Sequence, residues 1–172
     1  DNLAARRLLA RIYVRTLGDL SNAAAQRDTV ARAAEQYREI VRLDPADIDA
    51  ALWLARLYRL QNALDKAEAV LRSLLAREPK NENGVAQFTQ LLLDEGKSEE
   101  AVSTLRGILE RAPTPKLWEL LGQAYKQIQD LPNAEQAFRN AAESQPGDLN
   151  HRKELAQTLL AQGKFSEALE QY

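Results

Sequence analysis

Apolar side chains recur along the chain with the spacing of helix faces, and the whole pattern repeats about every 34 residues. In each copy a large residue, the small residue after it and a large residue three positions later share one helix face. The five copies are Leu9, Ala10 and Tyr13; Leu54, Ala55 and Tyr58; Phe88, Thr89 and Leu92; Leu121, Gly122 and Tyr125; Leu155, Ala156 and Leu159. The pattern predicts a helix in the first half of every copy.

The second half of every copy carries an alanine, followed four residues later by a large side chain. The pairs are Ala33 and Tyr37; Ala67 and Leu71; Ala101 and Leu105; Ala134 and Phe138; Ala168 and Tyr172. We expect this alanine to face the small residue of the first helix, so that the two helices approach closely. One such pair cannot bury its apolar face alone, so neighbouring pairs must stack.

Prolines separate the copies, because a proline lacks a backbone donor and ends a helix. Pro45, Pro79, Pro113 and Pro146 stand 34, 34 and 33 residues apart. The predicted helices are 3–17, 20–43, 47–61, 64–77, 81–95, 98–111, 115–129, 131–144, 148–162 and 165–172. We expect Asn62, Gly96 and Gly163 to end helices in the left-handed conformation. We expect Ser98, Ser166 and Thr114 to be the N-caps of the helices that follow.

The run Trp118-Glu-Leu-Leu-Gly122-Gln-Ala-Tyr125, with Ala134, Phe138, Ala141 and Pro146, resembles the signature of the tetratricopeptide repeat family. The resemblance implies an all-α fold, a right-handed α-solenoid of antiparallel helix pairs with about ten helices. It also implies one array over residues 1–172. Its expected units are 3–45, 48–79, 82–113, 115–146 and a truncated 149–172. Pentatricopeptide RNA-binding repeats have a similar period, but they are usually basic and lack this Trp-Leu-Gly-Tyr pattern.

The first unit departs from the others in length. From Tyr13 to Ala33 there are 20 residues, where the other units have nine. The added 11 residues make about three helical turns, so we expect a long second helix that extends past its neighbours. Two interpretations stay open: a surface extension without a role, or a contact specific to a partner.

The bulk composition excludes several classes of protein. The net charge of −2 gives no general attraction to nucleic acid, and no apolar run is long enough to insert in a membrane. Without cysteine and with one histidine, His151 in what we expect to be an exposed position, the chain has no set of metal ligands. No phosphate-binding loop or paired carboxylates occur, so we expect no cofactor, no metal and no catalytic residue.

In the family, the concave face is formed largely by first-helix residues, and the matching positions here are the candidate partner-binding residues. They are Arg7, Arg11, Arg15, Leu52, Arg56, Arg59, Gln90, Gln123, Lys126 and Gln157. The first six make a basic stretch suited to a carboxylate or an acidic segment, and a solvated charged surface is the alternative. Trp53 is a further candidate for the groove, because it lies two residues from the position of the signature tryptophan. A carboxylate clamp of the chaperone-binding kind is incomplete, because Ala86 and Gln90 occupy its second half.

The expected function is a protein–protein interaction scaffold that binds a protein or peptide in its concave groove. Two alternatives stay open: the recognition arm of an enzyme whose catalytic domain lies elsewhere, and a spacer or oligomerisation module in a bacterial envelope assembly. The chain does not begin with Met and stops inside a predicted helix, so we expect a segment of a longer array. Ends without polar caps also leave self-association open. The sequence does not indicate a cellular location.

Overall fold

Helices form nearly all of the regular structure in a computed structural model of the chain, which describes residues 2–19 and 22–171. Within these ranges the fold has ten α-helices, a short 3₁₀ turn (Leu17–Asp19) and no strand. The helices are α1 (Leu3–Thr16), α2 (Ala23–Leu43), α3 (Ile48–Leu60), α4 (Leu64–Arg77), α5 (Glu82–Asp94), α6 (Ser98–Leu109), α7 (Pro115–Gln127), α8 (Leu131–Ser144), α9 (Leu149–Ala161) and α10 (Phe165–Glu170). The predicted all-α class is confirmed.

Most of the predicted joints are also found. Asn62, Gly96 and Gly163 have φ angles of 56°, 74° and 76°, which end α3, α5 and α9 in the left-handed conformation. Thr114 caps α7, because its side chain accepts a hydrogen bond from the Leu117 N–H, and Pro115 follows as the first helical residue.

The predicted serine caps are wrong. Ser98 is already the first residue of α6, and α10 begins one residue before Ser166. The residues that precede these two helices, Lys97 and Lys164, make no side-chain capping bond. The Ser98 hydroxyl lies 2.6 Å from Gln127 Oε1 and donates to it, so it joins α6 to the end of α7 instead.

The small residues of the two half-repeats are buried as predicted. The alanines of both helices of a repeat are only 0–1% exposed to solvent. They are Ala10, Ala55 and Ala156 in first helices and Ala33, Ala67, Ala101, Ala134 and Ala168 in second helices. Their small volume lets the backbones of the paired helices approach, which closes the interior without a gap. Thr89 replaces the alanine in the third copy and is equally buried, and its hydroxyl has no hydrogen-bond partner among the described residues.

The chain forms two compact units, residues 1–91 and 92–172, and the boundary between them falls within α5. The core of unit 1 joins α1, α2 and α3. Its buried members are Ala10, Val30, Ala33, Ala34, Tyr37, Ile40, Ala50, Leu54 and Leu57. The core of unit 2 includes a cluster of Ala134, Phe138, Leu155, Leu159 and Ala168.

Helix α2 is the longest, as predicted, with 21 residues against 14 in α4 and α8. Asn22 caps it and accepts hydrogen bonds from the N–H groups of Ala24 and Ala25. The helix was predicted to begin at residue 20, but residues 20 and 21 lie outside the described ranges.

Candidate binding surface

Three helices of unit 1 bring together the first group of predicted binding residues. Arg7, Arg11 and Arg15 are exposed on α1 and share one face of it, since they are four residues apart. Across from them, α3 contributes Trp53 and Arg56, and Tyr37 of α2 lies between. We call the set Arg7, Arg11, Arg15, Tyr37, Asp49, Trp53 and Arg56 the α1–α3 surface.

Arg7 is held by carboxylates of the chain itself. Its Nη2 lies 2.8 Å from Asp44 Oδ2 and 2.7 Å from Asp47 Oδ2, and its Nε donates to Asp47 Oδ2 at 3.0 Å. The hydrogen bond with Asp47 is the main cause that raises the pKa of the Arg7 guanidinium. Asp47 also caps α3 through Oδ1, which accepts from the Ala50 N–H at 2.9 Å. Arg7 therefore ties α1 to the start of α3.

Unlike Arg7, neither Arg11 nor Arg15 pairs with a carboxylate of residues 2–19 or 22–171. Both line a cleft of about 450 Å³, whose other walls come from Leu8, Ile12, Val14, Tyr37 and Trp53. We call it the basic cleft, because it combines two cations with apolar walls and has no carboxylate in its lining.

An aromatic pair stands at the centre of the surface. The rings of Tyr37 and Trp53 stack with their centroids 6.3 Å apart and an interplanar angle of 18°. The Arg56 guanidinium lies over the Trp53 ring, 5.4 Å from its centroid, within the range of a cation–π contact. Trp53 is only half-buried, so part of this aromatic surface is open to a ligand.

A second cleft, of about 430 Å³, shares Arg11, Tyr37 and Trp53 with the basic cleft. Its lining includes Arg7, Arg11, Asp47 and Asp49 together with Tyr37 and Trp53. The two arginines and two aspartates of this lining balance in charge, and Asp49 is exposed. Burial is the main cause that raises the pKa of the Tyr37 phenol; Arg11 opposes this effect, and Asp47 and Asp49 add to it. The phenol therefore lies where the two clefts meet.

The remaining predicted residues of unit 1 are less accessible to a partner. Leu52 is only 9% exposed and belongs to the interior, so it offers little apolar surface to a partner. Arg59 is half-buried near the end of α3, and Gln90 is half-buried on α5.

In unit 2 two of the three predicted residues, Gln123 and Lys126, pair with glutamates. Gln123 Nε2 donates to Glu119 Oε1 at 3.0 Å, and Lys126 Nζ lies 3.0 Å from Glu154 Oε2. Lys126 also stands over the Phe138 ring, 5.6 Å from its centroid. Gln157 is exposed. The sequence suggested an amide-rich surface here, and the glutamates of α7 and α9 make it mixed in charge.

His151 was predicted to be exposed, and this is wrong. The side chain is buried, with 4% of the residue exposed. Its Nε2 lies 3.6 Å from Asp148 Oδ2, and its Nδ1 lies 3.9 Å from Glu119 Oε2 without a hydrogen bond. Its position in the first turn of α9 suggested solvent, but α9 packs against α8 and the His151 side chain lies close to Glu119 of α7.

Two features are absent from residues 2–19 and 22–171. No three side chains of the metal-ligating types His, Cys, Asp and Glu converge within these ranges. None of the described helices is both long and apolar enough to cross a bilayer.

Two features of the surface were not predicted from the sequence: the carboxylates of Asp44, Asp47 and Asp49, and the Tyr37 ring that stacks on Trp53. The carboxylates stand in the run Asp44-Pro-Ala-Asp47-Ile-Asp49, where a proline turn leads into a helix cap. An Asp at a cap position is a recognisable signal for the start of α3. Nothing local indicates that these carboxylates meet Arg7, which is 37 and 40 residues away in the chain.

Helical hairpins with small residues at their contacts, repeated in register, define a repeat scaffold. Models of the tetratricopeptide repeat match residues 24–87 and 89–148, together more than half of the chain. The chain belongs to the tetratricopeptide repeat family.

Relatives and solved structures agree with this assignment. The chain is 30% identical over 147 residues to cellulose synthase operon protein C of Pseudomonas fluorescens, covering 80% of this chain and 12% of the relative. It is 31% identical over 106 residues to human tetratricopeptide repeat protein 21A, covering 59% of this chain and 8% of that protein. The chain thus spans about a tenth of the length of these relatives.

Solved structures share the fold. MamA from Desulfovibrio magneticus aligns with a TM-score of 0.69 and 18% identity, over 95% of this chain and 90% of that one. A thermophilic tetratricopeptide protein of Thermus thermophilus aligns with a TM-score of 0.69 and 22% identity, over 97% and 88% of the two chains. Together with the repeat models, these structures indicate a tetratricopeptide repeat scaffold of stacked helix pairs, a fold that supports protein–protein interaction.

Proposed function

We propose that this chain binds an acidic segment of a partner protein on the α1–α3 surface, and that binding, without catalysis, is its activity. The segment places an apolar or aromatic side chain against Trp53 and Tyr37 and its carboxylates on Arg11 and Arg15. The other predicted residues, Gln123, Lys126 and Gln157 among them, and the single five-unit array remain predictions.

The observation that carries the proposal is the basic cleft. Two guanidinium groups that have no carboxylate partner among the described residues stand beside an aromatic ring that is partly open to solvent. Like charges four residues apart on α1 repel one another, and a bound carboxylate relieves this repulsion. Arginine and aromatic side chains are also the residue types that most often dominate binding energy at protein interfaces.

Titration calorimetry with a blocked peptide, Ala-Ala-Phe-Ala-Glu-Glu, tests the proposal at about 20 mM salt, where screening is weak. We expect binding that weakens as salt rises and that is lost in the double variant Arg11→Glu, Arg15→Glu. Changes in Trp53 emission, followed in a Trp118→Phe background, should report the same event, since the chain has two tryptophans.

The matched control is Arg111→Glu with Lys153→Glu, which changes the net charge equally at two exposed positions of unit 2. This control should bind the peptide like the unmodified chain. Equal binding by all three proteins, or no binding to the unmodified chain, would exclude the basic cleft as the site. Circular dichroism of each variant checks that the helices are retained.

A second candidate rests on the relative from Pseudomonas fluorescens, whose name places it in a cellulose synthase operon. In this candidate the chain is a recognition segment within a long bacterial protein of polysaccharide synthesis, and its partner is a component of that machinery. The reading frame that contains this chain, together with co-purification of the full-length protein, tests the candidate.

A further inference from the structure

The first helix of a copy packs on the second helix of the copy before it. Helices α3, α7 and α9 contact α2, α6 and α8 in this way. Leu57 of α3 lies in such a contact, because it belongs to the core that joins α3 to α2. The matching residues in the later first helices are Leu91, Ala124 and Thr158, and all four are only 0–1% exposed.

The same position is open in α1. Ile12 matches Leu57 in the repeat and is 48% exposed. Leu9 matches Leu54 and is 37% exposed, against 2% for Leu54. The described part of the chain therefore leaves this face of α1 uncovered. We call Leu9 and Ile12, with the exposed Leu8 beside them, the head face.

Helix α10 is open at positions by which a second helix contacts the next copy. In α8 such a position is Glu135, which is 6% exposed and accepts hydrogen bonds from Gln162 and Lys164 of the following copy. Its match in α10 is Leu169, which is 75% exposed. Phe165, four residues earlier on the same side of the helix, is 70% exposed. We call Phe165 and Leu169 the tail face.

The two faces lie on helices of opposite charge. Helix α1 contains four arginines and no acidic residue, and two of them, Arg11 and Arg15, pair with no carboxylate of the described residues. Helix α10 contains Glu167 and Glu170 and no basic residue, and Lys164 just before it is already paired within the chain. Opposite charge favours a contact between α1 and α10 over a contact between two like helices.

We propose that copies of this chain associate head to tail, with the head face of one copy packed on the tail face of another. The contact repeats the packing of a first helix on the preceding second helix, so α1 of one copy follows α10 of the other. Each contact leaves one head face and one tail face free, so association continues beyond two copies. This self-association goes beyond the proposed function and needs no ligand in the basic cleft.

Sedimentation equilibrium of the unmodified chain between about 2 and 200 µM tests the proposal, since weak interfaces assemble in this range. We expect the mean mass to rise above that of one chain as the concentration increases. Ile12→Gln and Leu169→Gln should each weaken association at least about ten-fold, because each places an amide in an apolar contact. Leu60→Gln is the matched control, because Leu60 is an equally exposed leucine outside both faces, and it should leave association unchanged.

An equimolar mixture of the two variants separates a head-to-tail contact from a symmetric one. Ile12→Gln keeps an intact tail face and Leu169→Gln keeps an intact head face. The mixture should therefore form pairs that grow no further, while each variant alone stays a single chain. Circular dichroism checks that both variants retain their helices.

A single-chain mass for the unmodified protein over the whole concentration range would overturn the proposal. Association that neither variant weakens would also overturn it, as would a mixture that forms no pairs. A chain that stays single and still binds the acidic peptide above would support the proposed function alone. A chain that associates and does not bind the peptide would support head-to-tail association alone, so the two proposals fail separately.

Discussion

Gly122 shows how tightly the small residues of the repeat are constrained. A Cβ atom built at this position would lie 2.7–2.8 Å from three ring carbons of Phe138. The ring is fully buried and belongs to the core of unit 2, so it has little room to move. In the fourth copy the Phe138 ring occupies the space that a Cβ atom at residue 122 would need, and the glycine leaves room for it.

We therefore expect Gly122→Ala to lower the free energy of unfolding by about 1–2 kcal/mol, because overpacking outweighs the gain in helix propensity. Gly107→Ala is the matched control: it lies within α6, is exposed, and a Cβ there meets no atom within 4 Å. This substitution should raise stability by about 0.5–1 kcal/mol. Urea denaturation measures both, and a shift of the same sign in the two variants would contradict the packing at Gly122.

At the scale of elements, Glu135 joins α8 to the turn before α10. The residue is 6% exposed. It accepts hydrogen bonds from Lys164 Nζ at 2.6 Å and Gln162 Nε2 at 2.8 Å and pairs with Arg139 at 2.8 Å. Burial by itself would raise the pKa of Glu135, but these three donors outweigh burial and lower it below the ordinary value of 4.5.

A lowered pKa makes this contact a pH-dependent source of stability. The stabilisation is fully present above the ordinary value of 4.5 and is lost as the pH falls through the lowered pKa of the folded protein. At pH 7, Glu135→Gln should cost about 1–3 kcal/mol, as for loss of hydrogen bonds to a charged group. The difference between the two proteins should shrink as the pH falls below 4.5 and through the lowered pKa of the folded protein.

Thermal or urea unfolding at several pH values measures this difference. Glu143→Gln is the control, because Glu143 is exposed on the same helix. It should change stability by less than about 0.5 kcal/mol at any of these pH values. A penalty for Glu135→Gln that stays constant over the whole acid range in which both proteins remain folded would show that the carboxylate charge does not contribute.

At the scale of the whole molecule, stability should be distributed unevenly, since each helix pair of a repeat protein contacts only its neighbours. Leu71 in unit 1 and Leu159 in unit 2 are both 0% exposed. Substitution of either by alanine should cost about 2–5 kcal/mol. Loss of about 3 kcal/mol raises amide exchange through unfolding roughly a hundredfold.

Hydrogen exchange resolved by peptide can therefore separate the two units. Leu71→Ala should speed exchange mainly in residues 2–91, and Leu159→Ala mainly in residues 92–171. Each variant is the control for the other, because the substitution is the same. Equal acceleration throughout the described chain in both variants would show a single cooperative unit.

Most of the fold could be predicted, because the signals are local. The signals are the spacing of apolar residues along each helix, the recurrent alanines, and the left-handed helix ends at Asn62, Gly96 and Gly163. Each depends on residues within one or two turns of each other. The serine caps failed for a local reason as well: Ser98 resembles a cap in sequence, yet the helix starts one residue earlier and the hydroxyl bonds to Gln127.

The binding surface could be predicted only in part. The face shared by Arg7, Arg11 and Arg15 follows from their four-residue spacing and was determined by the sequence by itself. Tertiary structure alone decided that Arg7 is neutralised by Asp44 and Asp47, that Tyr37 lies under Trp53, and that His151 is buried. The physical reason is distance along the chain: these contacts join residues 16 to 40 positions apart, and they form only where helix packing brings their side chains together.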